Sequence, residues 1–137
     1  MKTAARAAKI ITFTACRQIQ RLPQTNPPEY VLVAPTINWW SHDYPAEVRM
    51  GLFIEFTGAE GAYVPRIEVY DGDGDLLGCL AEGGPFVSND PVAVHCITLE
   101  RVSFSVPTPG LYDLVLFMNG EEAARRQPWV RPPDLSA

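Results

Sequence analysis

The chain has 137 residues, 47% apolar and 20% charged, which suits one globular domain able to bury a core without metal or disulfide staples. Its 11 Lys and Arg against 16 Asp and Glu leave a formal net charge of −5. The only lysines are Lys2 and Lys9 and the densest cationic spot is Arg125-Arg126, which excludes the clustered charge that nucleic-acid binding needs. No apolar run approaches the roughly 20 residues of a membrane span.

From the N-terminus, residues 3–9 are Ala-rich and form the best helix candidate, too short to be stable alone. The early charges, apolar residues and Cys16 imitate a lipoprotein signal. Lys9 sits late, however, and residues 10–15 are broken by Thr12 and Thr14, so the segment reads as a first strand. Ile11, Phe13, Ala15 and Ile19 share one parity, with Thr12, Thr14, Cys16 and Gln18 opposite, which predicts a strand of about ten residues. Residues 23–28 are a polar loop. Residues 29–34 are rich in β-formers, and Pro35 marks an edge or a kink. Residues 38–45 read as an aromatic loop.

Met50, Leu52, Ile54 and Phe56 then alternate with Gly51, Phe53, Glu55 and Thr57 in a strand with a strongly apolar face. Ile67 and Val69 alternate with Arg66, Glu68 and Tyr70. Residues 71–75 turn, residues 76–80 return, and residues 81–91 form a longer loop. Within residues 92–106, Ile97 and Leu99 have one parity and Val102, Phe104 and Val106 the other. The flip near Glu100-Arg101 predicts a bulge or a break, because a one-residue slip exchanges the two faces. Pro109-Gly110 feeds a strand on which Tyr112, Leu114, Leu116 and Met118 share a face. Asn119-Gly120 closes it as a hairpin turn with positive φ at both central residues. The returning arm is placed at roughly residues 123–130. Residues 1–130 are thus one domain and residues 131–137 a polar tail. The pattern predicts an all-β fold: a single antiparallel immunoglobulin-like β-sandwich of seven to nine strands.

Four features carry candidate chemistry. Asp71, Asp73 and Asp75 place oxygens at alternate positions, with Glu82 twelfth, as in a calcium loop. Leu76 stands where such a loop needs glycine, and the flanks are strands, so an Asp-Gly turn is the simpler reading. Trp39, Trp40, His42 and Tyr44 gather aromatic surface in one loop, which reads either as a plug for the end of the sandwich or as a contact site. Ser41-His42-Asp43 contains hydrolase residue types, but consecutive residues cannot form the relay. Cys16, Cys79 and Cys96 with His95 lack the paired spacing of a zinc site and read as buried, reduced thiols. The acids Glu121-Glu122 read as solvated. On the closing hairpin, Leu111, Val115 and Phe117 share the face with Asp113 that should be wet. Phe53 does the same on its strand, so part of the outer surface is expected to be covered, by the chain or by a partner.

The segments FTACRQIQ, YVLVAPTINWW, IEVYDGDGDLLG and PGLYDLVLFMNGEE resemble an uncharacterised bacterial family of small proteins with a domain of unknown function. The resemblance spans about residues 12–130 and rests on turn and core signals. It implies an immunoglobulin-like β-sandwich and supplies no activity, ligand or catalytic residue. Trp39-Trp40 has no counterpart in its pattern. The expectation is therefore a cytoplasmic, non-enzymatic interaction or structural module. It would contact a protein partner or a second copy through a sheet surface or the aromatic loop, with no cofactor, no nucleic acid and no membrane span. A calcium-dependent binding module using Asp71, Asp73 and Asp75 is the alternative.

Overall fold

A computed structural model describes residues 6–25 and 29–133. The expectations for residues 3–5, 26–28 and 134–137 lie outside it. Among the described residues there is no helix; residues 6–8 are irregular and Lys9 already begins a strand. Thirteen strands follow: β1 (Lys9–Leu22), β2 (Glu29–Pro35), β3 (Asn38–Trp40), β4 (Ala46–Thr57), β5 (Gly61–Tyr63), β6 (Pro65–Tyr70), β7 (Leu76–Glu82), β8 (Phe86–Ser88), β9 (His95–Val106), β10 (Gly110–Leu111), β11 (Asp113–Met118), β12 (Glu121–Arg126) and β13 (Trp129–Arg131).

Two four-stranded antiparallel sheets carry the molecule, in the orders β2-β1-β4-β9 and β12-β11-β6-β7. Their alternating apolar residues meet in one core. Phe13, Ala15, Val48, Met50, Leu52, Ile54 and Phe56 come from the first sheet, and Ile67, Val69, Leu114, Leu116 and Met118 from the second. Burying such side chains contributes about 1.5–3 kcal/mol each before conformational entropy is subtracted. A small sheet, β10-β13-β3, closes one end of the core through Trp39 and Val130, and Tyr112, between β10 and β11, joins the same core. A β5-β8 ribbon adds Tyr63 and Phe86 at the other side of the core, against Phe56.

The parity flip in β9 is a bulge inside one continuous strand. Met50 pairs with Val102 and Leu52 with Leu99, so Glu100 and Arg101 together face Gly51. A second irregularity lies between Ile10 and Thr12 of β1; Ile11, expected on the buried face, is exposed beside it. The closing turn has Asn119 at φ 54° and Gly120 at φ 79°, as the Asn-Gly pair predicts. Its strands differ from the expected arms. Tyr112 separates β10 from β11, the return strand begins directly at Glu121, and residues 129–131 leave the hairpin to pair with β10 and β3. No helix of the described residues is long and apolar enough to cross a membrane.

Candidate functional site

The small sheet brings together residues that the sequence places far apart. β13 runs antiparallel to β10 and parallel to β3, aligning Leu111 with Trp129, Trp129 with Asn38, and Arg131 with Trp40. Side chains alternate across a strand, so one face of β13 carries Val130 and the other Trp129 and Arg131. Val130 and Trp39 point into the core. Trp40, Trp129 and Leu111 are 42%, 44% and 43% exposed on the opposite side. The Arg131 guanidinium carbon lies 4.2 Å from the Trp40 ring centroid and 5.8 Å from that of Trp129. The cation is thus flanked by two indoles, each contact contributing on the order of 0.5–1 kcal/mol at an exposed position. The Trp129 N–H donates to the Ile37 carbonyl at 2.6 Å and the Tyr112 N–H to the Pro128 carbonyl at 3.0 Å. These bonds hold the platform onto the core.

Of the four aromatic-loop candidates, only Trp40 belongs to this exposed face. Trp39 lies beneath it, with the Arg17 guanidinium carbon 5.3 Å from its ring centroid. His42 is exposed outside the strand. Tyr44 is half-buried, and burial together with the neighbouring Tyr112 phenol pushes its hydroxyl pKa up. Trp39 Nε1 and the Tyr44 hydroxyl are buried without a hydrogen-bond partner among the described residues. Trp129 and Arg131 went unrecognised in the sequence, assigned to a hairpin arm and a tail. Their signal is the alternation Trp129, Val130, Arg131 between Pro128 and Pro132.

The hairpin candidates separate. Leu111 joins the platform, Phe117 is half-buried, and Val115 is fully buried although it lies outside the central core. Val115 sits between Glu68 and Arg125 in the sheet, and a polar lattice surrounds it. Arg66 Nε donates to Glu68 Oε1 at 2.6 Å, and the Tyr70 hydroxyl donates to the other Glu68 oxygen. Arg125 Nη2 donates to Glu122 Oε1 at 2.6 Å, and Arg125 Nη1 pairs with Asp113 Oδ2 at 3.4 Å. Long polar side chains lay their stems over apolar surface and keep their heads in water. The cover expected on this face is therefore supplied by the sheet itself. On the other sheet, Cys16 and Ile19 are likewise buried outside the central core, around Gly51, while Tyr30 packs on Phe53 with ring centroids 5.9 Å apart.

At the acidic turn, Asp71 Oδ1 accepts the N–H groups of Asp73 and Asp75, each at 2.9 Å, and Gly74 takes φ 85°. This is an Asx turn in which the carboxylate serves the backbone. Among the described residues no group of three His, Cys, Asp or Glu is set to hold a metal ion. The Ser41 hydroxyl donates to the Asp43 carbonyl at 3.0 Å and forms no relay with His42. A different pair, Ser88 Oγ and His95 Nε2, lies 3.0 Å apart, yet Ser88 is buried and its hydroxyl also reaches the Asp90 carbonyl at 3.3 Å. His95 is stacked on Phe56. The Ser88-His95 bond ties the end of β8 to the start of β9. All three cysteines are free. Only Cys16 is buried as expected, its burial raising the thiol pKa; Cys79 and Cys96 are exposed.

Compared with known proteins, the chain matches no family model and no curated protein.

Proposed function

We propose that this chain is a non-enzymatic protein-interaction module that contacts its partner through the outer face of β10-β13-β3. The observation that carries the reading is the exposed pair Trp40 and Trp129 clamped on Arg131, with Leu111 beside them. Tryptophan and arginine are enriched among the residues that dominate protein interfaces, tryptophan through large contact area with two rotatable bonds and arginine through a planar head of five N–H donors that also stacks on aromatic rings. Here both rings are held by strand pairing, so little ordering entropy remains to be lost on binding. In the same reading the two main sheets are the leaves of an immunoglobulin-like β-sandwich, and the free thiols suit a reducing cytoplasm.

The test compares affinity capture from native-host extract by the unaltered chain and by the Trp40→Ala/Trp129→Ala variant, followed by binding measurement with the captured protein purified. Removing a hot-spot ring costs about 2 kcal/mol or more, so the affinity is expected to fall by at least about 30-fold with the unfolding midpoint of the variant retained. Equal affinity of the two proteins for that partner would overturn the reading.

A further inference from the structure

A second surface, independent of the platform, lies at the far edge of the larger sheet. Among the described residues β2 pairs only with β1, in a continuous register from Cys16 opposite Pro35 to Leu22 opposite Glu29. No β2 residue belongs to the core. The opposing sheet ends over β1, where Arg126 of β12 donates to the Phe13 carbonyl at 2.7 Å. Val31 and Val33 are 41% and 37% exposed, and Leu22 alongside is 38% exposed. Their β1 neighbours Gln18 and Gln20 are uncharged.

The other edges carry the protections that keep strands from pairing. β12 reads Glu-Glu-Ala-Ala-Arg-Arg, β9 has the Glu100-Arg101 bulge, and the β6–β7 ladder shifts register twice. β2 has no charge between Tyr30 and Val33 and no register shift in its ladder. An edge of this kind is a template for another strand.

We propose that the strand it takes is β2 of a second copy of this chain, paired antiparallel about a two-fold axis at Val31. Ala34 at φ 51° and Pro35, which has no N–H, end the pairable run, leaving Glu29–Val33 with Val31 at its midpoint. The axis sets Val31 against the partner's Val31, Tyr30 against the partner's Leu32, and Glu29 against the partner's Val33. The two Glu29 carboxylates fall at opposite ends. Every opposed pair has an apolar member and no like charges meet, which is the self-complementarity that a two-fold interface requires. A charged partner strand would find only Glu29 to answer it. The join makes one eight-stranded sheet across both copies.

Sedimentation velocity of the full chain over a concentration series tests this. A reversible dimer is expected, with its dissociation constant raised by about tenfold or more in Val31→Lys, which sets two ammonium groups on the axis. In a Cys79→Ser/Cys96→Ser background, Val31→Cys is expected to form a disulfide dimer on mild oxidation and Glu29→Cys is not. A monomer at all concentrations, a dimer indifferent to Val31→Lys, or one abolished by Trp40→Ala/Trp129→Ala would overturn the proposal. The Trp variant also separates this interface from the platform.

Discussion

Glu68 concentrates the electrostatics of the second sheet. The Tyr70 hydroxyl, first, and the Arg66 guanidinium hold its carboxyl below the ordinary glutamate range, against its partial burial. A depressed folded-state value stabilises the fold above the unfolded pKa of about 4.3, and that contribution disappears as pH falls through the folded value. Glu68→Gln removes the titration. Urea unfolding across a pH series should show unaltered chain and variant converging below about pH 4, with a steeper acid loss in the unaltered chain. Parallel curves would show that the pair contributes nothing. Tyr70 mirrors this, since the same bond raises its phenol and its contribution is lost only above about pH 10. The Arg66-Glu68-Tyr70 alternation was legible as a half-exposed strand. That the stems of its polar side chains would cover Val115 was not, because cover depends on the strand laid beside it.

At the level of elements, the bulge in β9 is the place where local pattern and packing agree most closely. Two residues there face one, and the one is Gly51. A Cβ at Gly51 would lie 2.8 Å from Ile19 Cγ1 and 3.2 Å from Cys16 Sγ, and Ile19 is β-branched with little freedom to move aside. Gly51→Ala is expected to cost about 1–3 kcal/mol as an overpacking substitution, read as a lower urea midpoint with unchanged slope. A stability gain would mean that the site relaxes freely. The closing hairpin was legible for a comparable reason: Asn119-Gly120 encodes its turn locally. The structure adds a second role for Asn119, whose side chain accepts from the Val64 N–H at 2.9 Å and donates to the Ala62 carbonyl at 3.0 Å. Residues 129–131 escaped because three residues have too little periodicity to be separated from the arm before them. Their partner β3 lies about ninety positions away and runs parallel.

The whole molecule is joined where the sheets meet at a corner. β2 covers only the second half of β1, so Phe13 keeps a free carbonyl, and Arg126 from the opposite sheet takes it at 2.7 Å with its guanidinium carbon 5.9 Å from the Phe13 ring centroid. Arg126→Ala is expected to lower stability by about 1–2 kcal/mol. Arg49→Ala, which removes only its exposed ion pair with Glu47 at 3.2 Å, should cost about 0–1 kcal/mol. The two denaturation curves discriminate these roles, and equal losses would remove the clasp from the account. What the amino-acid order determined by itself is the all-β character, the inward faces of β4, β6 and β11, the β9 bulge and the closing turn, since period-two burial and positive-φ residues act over a few neighbours. Which tryptophans are exposed, which acids cover apolar surface and which edge stays open were decided only in three dimensions. Each depends on strands distant in sequence being set side by side, and no local pattern carries that.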